Sequence, residues 1–337
     1  MILAAHIDGF RGVVPGVVLC GTVAMAASFL TSHYGAPVML FALLLGMAFN
    51  FVDPVGKFEP GVTFASKTLL RVGVALLGAR VTLASMMDLG IVPLFLAVSG
   101  VMLSMLVGVM LCRAMGKSGL FGVLTGGAVG ICGASAALAL TSVLPRGPNG
   151  ISERDTIFTV VAVTALSTVA MVVYPIIAKL LNFDDVQAGI FIGATVHDVA
   201  QVVGAGFSIS DTAGETSTIV KLMRVAMLVP IIAAIAVVVR VRYSHTNDAN
   251  CHAPYFPAFL IGFLALMFCN SFGLIPAEIV IFTADLSRWL LVVAIAALGT
   301  KTSLGQLVEV GPTAAVIILA ETAVIAVLAA VILTWWT

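Results

Sequence analysis

From Gly126 to Ala136 the chain reads Gly126-Gly127-Ala128-Val129-Gly130-Ile131-Cys132-Gly133-Ala134-Ser135-Ala136, four glycines in eight positions inside an otherwise apolar run. Each glycine weakens a helix interior by up to about 1 kcal/mol relative to alanine. In hydrocarbon, a backbone that leaves the helical ladder must satisfy its N–H and C=O groups against protein, ligand or cavity water. A helix that stops and restarts at membrane depth meets that demand, and transporters build binding sites at such breaks. Close packing of small residues between continuous helices is the alternative. The clustering of the glycines favours the break.

The membrane setting follows from composition. Hydrophobic residues make up 61% of the chain and charged residues only 9%, against about 25% in soluble domains. Apolar runs of spanning length follow one another, so the expected fold is an all-α polytopic membrane protein. Formal net charge is zero and no basic cluster is dense enough for nucleic acid. Cys20, Cys112, Cys132, Cys251 and Cys269 are scattered without a Cys-x-x-Cys pair, so neither a disulfide framework nor a metal cluster is expected. Residues 1–12 lack the cationic-then-apolar pattern of a cleaved signal. One membrane domain, without cofactor, is the expectation.

About eleven segments are predicted, at 13–31, 36–52, 61–83, 87–114, 118–143, 155–181, 186–207, 216–241, 255–273, 278–300 and 306–336, the fifth and seventh irregular. If all cross, Arg11, Lys57, Arg113, Lys117, Lys179, Arg240, Arg242 and Lys301 fall on one side, and Arg80, Arg146 and Arg154 on the other. The cation-rich side is cytoplasmic, which puts the N-terminus inside and the C-terminus in the periplasm.

The chain repeats internally. Leu77-Gly78-Ala79-Arg80-Val81-Thr82-Leu83 returns as Leu298-Gly299-Thr300-Lys301-Thr302-Ser303-Leu304, and each copy is followed by an acid (Asp88, Glu309) and a glycine (Gly90, Gly311). Upstream, Pro37 matches Pro257, Leu44 matches Leu264 and Asn50 matches Asn270. Parts 36–114 and 255–336 are thus repeat-related and seven crossings apart, which makes the repeats inverted, as in secondary transporters. A second likeness, Val172–Ala178 to Met227–Ala233 around Pro175 and Pro230, fits a parallel relation instead.

The other unusual stretch is Ala194-Thr195-Val196-His197-Asp198-Val199-Ala200-Gln201, an imidazole beside a carboxylate in apolar surroundings. Intramembrane ionisable groups are read by default as functional. Asp198 with Gln201 three residues on also fits a helix start. Two half-helix N-termini, here and near Gly133, would offer backbone N–H groups to an anion. Gly130, Cys132, Gly133, Ser135 and Thr195 are the candidate substrate-binding residues. His197, Asp198 and Gln201 are the candidates for proton or cation coupling. Asp198 is assigned to capping or coupling, because a carboxylate repels an anion.

Among the remaining charges, Arg80 and Lys301 end matched helices and are candidate gate or anion-attracting residues. Lys67 with Arg71, and Lys221 with Arg224, share helix faces and enter early in their segments, where interfacial anchoring is expected. Asp285 and Arg288 form an i,i+3 pair, and Glu321 stands in an apolar run without an adjacent opposite charge. Gly133-Ala134-Ser135-Ala136 also resembles the serine motif of rhomboid-type intramembrane proteases, with His197 as base. That reading leaves the repeat without a role.

Taken together, the Gly126–Ala136 and Ala194–Gly206 stretches, Lys221-Leu222-Met223-Arg224-Val225 running to Pro230, and Gly299–Leu304 resemble the YeiH-like bacterial inner-membrane proteins, a sulfate exporter family. The resemblance extends from about Pro37 to the end. It implies membership of the cation/proton antiporter superfamily, with inverted five-helix repeats and crossing broken helices, and a carrier of sulfate or an organosulfonate. The expectation is a secondary carrier and not an enzyme. Its partners would be a small anion, a coupling proton or sodium ion, the lipid bilayer and a second copy of the chain as a homodimer. A sodium/proton antiporter or cation-coupled carboxylate carrier is the runner-up.

Overall fold

A computed structural model describes residues 2–34, 37–50, 56–145, 150–242, 257–302 and 312–336. Every regular element among them is a helix: α1 (Ile2–Tyr34), α2 (Val38–Ala48), α3 (Glu59–Phe64), a π-helical turn (Ala65–Leu69), α4 (Leu70–Leu77), α5 (Leu83–Asp88), α6 (Val92–Ala114), α7 (Gly119–Gly130), α8 (Ala134–Val143), α9 (Glu153–Leu180), α10 (Asp185–Thr195), α11 (Val199–Phe207), α12 (Asp211–Ala226), α13 (Leu228–Arg242), α14 (Ala258–Ser271), α15 (Ala277–Lys301) and α16 (Pro312–Trp335). Among the described residues, six stretches are long and apolar enough to span a bilayer, namely Gly12–Tyr34, Val92–Ala114, Glu153–Leu180, Asp211–Val241, Ala277–Lys301 and Ala315–Trp335. The shorter apolar helices include α7 and α8. Ser303, Leu304, Glu309 and Gly311 of the second repeat copy, together with Arg146 and Cys251, lie outside the described residues.

The fifth and seventh predicted segments are the broken ones. Segment 118–143 divides into α7 and α8, and segment 186–207 into α10 and α11. The third segment ends earlier than the expected residue 83, because Thr82 starts a new helix: its side chain accepts the Ser85 N–H while Ser85 returns the bond, a capping box that opens α5. The likeness between Pro175 and Pro230 does not produce like structures. Pro175 lies inside continuous α9, whereas Pro230 stands in the first turn of α13, where its missing N–H costs nothing.

The helices group into two compact units. The first comprises Met1–Leu89, Val203–Glu215 and Pro257–Ser303. In it α1 packs on α2, α3 and α15, α15 lies across α2 and α4, and α14 lies on α4. The repeat-related positions make reciprocal contacts. A Cβ on Gly299 would overlap the Leu43 carbonyl, and one on Gly78 would overlap the Phe263 carbonyl, so each repeat seats a glycine on the other's short helix. The matched asparagines also act across the pair: Asn50 donates to the Thr300 carbonyl at 2.7 Å and Asn270 to the Val81 carbonyl at 3.5 Å. Matched prolines, Pro37 and Pro257, stand at the N-caps of α2 and α14.

Arg80 also belongs to this unit. It pairs with Glu215 at 2.8 Å and with Asp211 at 3.9 Å, beside a cleft that Arg288 and Phe207 help line. Lys301 donates to Thr63 Oγ1 at 2.6 Å, and Lys67 and Arg71 are exposed. Asp285 and Arg288 form no salt bridge among the described residues.

The second unit comprises Gly90–Val202, Thr216–Phe256 and Leu304–Thr337 and contains both breaks. Its tightest contact is α6 on α7, through Gly108 against Gly122 and Ser104 against Gly126. The Ser104 hydroxyl donates to the Gly126 carbonyl at 2.8 Å. α16 packs against α6, α7, α9 and α10, and α8 against α9 and α13.

Candidate functional site

At the first break, α7 ends on Gly130 and α8 begins at Ala134. Gly133 turns the chain with φ 68° and ψ −130°, a conformation open in practice only to glycine. At the second break Val196 is extended, and His197 and Asp198 separate α10 from α11. The two breaks lie against each other, since a Cβ on Gly133 would come within 3.7 Å of the His197 backbone.

Every helix end leaves backbone carbonyls without an intrahelical donor, and two such ends meet here inside the unit. Lys221 and Arg224, both on α12 and both fully buried, supply the donors. Lys221 Nζ donates to the Ile131 carbonyl at 2.9 Å and to the Val196 carbonyl at 3.0 Å, one from each break. Arg224 Nε donates to the Gly130 carbonyl at 2.7 Å. Its terminal nitrogens reach the Val129 carbonyl at 3.0 Å and the Gly130 and Ala194 carbonyls. The expectation of interfacial anchoring for this pair is therefore corrected: both side chains point inward and tie the C-terminal ends of α7 and α10 together. Favourable interaction of the cations with the negative ends of both helix dipoles adds to the hydrogen bonds.

The two N-terminal ends differ. At α11 the end is closed: Asp198 Oδ1 accepts the Ala200 N–H at 2.9 Å, and the Asp198 N–H donates to Ser167 Oγ at 3.1 Å. The capping role expected of Asp198 is thus in place, although Gln201 serves elsewhere, donating to Thr168 Oγ1 at 3.4 Å. At α8 the end is open. Gly133 offers no side-chain cap, and the first-turn N–H groups of Ala134 and Ser135 have no intrahelical acceptor. Ser135 is exposed, Ala134 half-buried, and the Ser135 hydroxyl makes no hydrogen bond among the described residues. The Cys132 thiol stands against the Ala136 N–H of the same turn.

The other candidate residues are placed as follows. Gly130 contributes the carbonyl that Arg224 holds. Thr195 is fully buried and its hydroxyl donates to the Phe191 carbonyl at 2.6 Å, so that donor is spent within α10. His197 is fully buried with Nε2 2.9 Å from Thr322 Oγ1. The Thr322 hydroxyl also lies 2.8 Å from the Ile318 carbonyl, to which it donates. His197 Nδ1 and Gln201 Oε1 are buried without a hydrogen-bond partner. No Ser135–His197 hydrogen bond forms among the described residues.

Electrostatically, Lys221 stands within range of Arg224, Cys132 and Asp198. Each break presents one positive and one negative helix end, and those partial charges cancel in sum. The site thus brings together two fully buried basic side chains, Lys221 and Arg224, and one half-buried carboxyl, Asp198.

The family model described as conserved hypothetical protein 698 matches residues 15–318 of the chain. The chain is 51% identical to the UPF0324 membrane protein TauZ of Paracoccus pantotrophus, over 93% of this chain and 92% of that one. It is 50% identical to the UPF0324 membrane protein CT0845 of Chlorobaculum tepidum, over 95% and 89%. A UPF0324 membrane protein of Caulobacter vibrioides is 34% identical over 98% of this chain and 70% of that relative.

Proposed function

Since the chain belongs to the YeiH-like UPF0324 family of membrane proteins, we propose that it is a secondary carrier, and not an enzyme, that moves a small anion across the bacterial inner membrane. Sulfate or a small organosulfonate is the substrate class. The N-terminus lies in the cytoplasm and the C-terminus in the periplasm. The observation that carries this reading is the contrast between the two helix starts beside two buried basic side chains. The α11 start already holds its own carboxyl, whereas the α8 start presents donors that no side chain caps. That is the arrangement in which oxyanions bind. The Ala134 and Ser135 N–H groups and the Ser135 hydroxyl hold the anion, Gly133 and Cys132 shape the approach, and Gly130 and Thr195 build the frame. His197, Asp198 and Gln201 border the site as the groups that respond to a coupling proton or sodium ion.

Purified protein in proteoliposomes tests this with labelled sulfate and ethanesulfonate as competitor. Saturable uptake is expected, weakened by Ser135→Ala and lost in Lys221→Met, which removes a donor to both breaks. Sodium or proton flux that needs no anion would support the cation antiporter instead, with Asp198 as its ligand. Cleavage of a membrane substrate that Ser135→Ala abolishes would support a protease.

A further inference from the structure

Glu321 takes no part in the arrangement described so far. It lies midway along α16, fully buried, with Oε1 accepting from Thr125 Oγ1 at 2.7 Å and Oε2 buried without a hydrogen-bond partner. Its carboxyl occupies space that a side chain at position 108 would fill, since a Cβ on Gly108 would overlap Oε1. The α6–α7 crossing is thus built around this group. The ionisable groups facing it are few. On α6, Cys112 lies within electrostatic range and Arg113 is exposed at the helix end. α7 carries no ionisable residue, and its Thr125 is the hydrogen-bond donor. On α9, Glu153, Arg154, Asp155 and Lys179 stand near the helix ends and Tyr174 packs on Phe191. Asp185 is exposed at the start of α10, and His197, held by the next residue Thr322, lies at the second break. No cation pairs with Glu321 among the described residues.

A carboxylate in that setting has lost water without gaining a positive partner, a heavy cost that one added proton removes. The carboxyl lies beside Gly108 and Thr125, each seven residues from the Met115–Ser118 turn, about 10 Å along the helix axes. Arg113 and Lys117 at that turn belong to the side assigned to the cytoplasm. Glu321 and Thr322 also reach both broken helices, through Thr125 on α7 and His197 at the second break.

We infer that Glu321 is a proton-binding site of this protein, filled from the face of the α6–α7 turn and felt by both broken helices through Thr125 and the Thr322–His197 bond. The proton adds to the free Oε2 while Oε1 keeps the Thr125 bond. Only the statement of what the proton is coupled to, the anion, rests on the carrier reading. Infrared difference spectra of the purified protein across a pH titration test the site itself. A carboxyl C=O band that grows on acidification is expected, absent in Glu321→Gln and shifted in frequency in Thr125→Val. Glutamine keeps the Oε1 acceptor and the size of the side chain, so the variant folds if the proton is all that is lost. In proteoliposomes Glu321→Gln is expected to lose sulfate accumulation driven by a pH gradient while retaining sulfate–sulfate exchange at equal pH. A titrating band unchanged in Glu321→Gln, or full gradient-driven accumulation by that variant, would overturn the inference. Wild-type protein that titrates at Glu321 but moves no anion would sink the carrier reading alone.

Discussion

Replacing Arg224 by leucine is expected to prevent recovery of a folded protein, or to lower its thermal unfolding midpoint in detergent more than any other single change at the site. Leucine leaves the carbonyls of Val129, Gly130 and Ala194 buried and without these donors. An orphaned buried polar group costs about 1–3 kcal/mol, so the three together approach the whole stability of a typical domain, about 5–15 kcal/mol. Arg224→Lys is expected to fall between wild type and Arg224→Leu, because an ammonium keeps the charge but lacks the planar fork that serves several acceptors at once. A leucine variant that unfolds at the wild-type temperature would mean that the two helix ends find other donors.

The second large effect is expected at Gly126. Valine there would drive its side chain into the backbone of α6, at the Ser104 carbonyl and Met105 Cα, where nothing can rotate aside. The crossing would open and the Ser104–Gly126 bond would be lost. Overpacking of this kind costs about 1–3 kcal/mol and more against rigid backbone, and the displacement bears on α7 one turn before its break. Gly21→Ala is the control: nothing lies within 4 Å of the added methyl, and a helix gains up to about 1 kcal/mol from the exchange. The two variants are compared by thermal unfolding and by sulfate uptake. Equal behaviour would deny the close crossing its role.

Both breaks were legible in the chain because each violates a local rule that apolar helices obey. Clustered glycines weaken a helix, although Gly126, Gly127 and Gly130 stay within α7 and only Gly133 stands at the break, and a histidine beside an aspartate is costly in hydrocarbon. The repeat was legible through Gly78 and Gly299, and their seats on the Phe263 and Leu43 carbonyls supply the physical reason for the match. Lys221 and Arg224 were misread, since two cations on one face near the start of an apolar run look the same whether they anchor at an interface or point inward. Their role depends on acceptors about 30 and 90 residues away in sequence, which no local pattern carries. One signal was available: two broken helices must leave two sets of free carbonyls, and few donors in the chain could serve them. Thr195 shows the opposite failure, a hydroxyl near the break that turns back onto its own helix. The partner of Glu321 lay farther off still, 196 residues away on α7.

The exchange of contacts between the repeats bears on how the polypeptide is made. α2 leans on α15 and α14 leans on α4, so the early helices complete their packing only against helices synthesised near the end of translation. Until then, the Leu43 and Gly78 faces wait in lipid beside transient neighbours. A ribosome-released N-terminal half is therefore expected to be degraded when expressed alone and rescued by co-expression of the other half, the mark of a duplication whose copies can no longer mature separately.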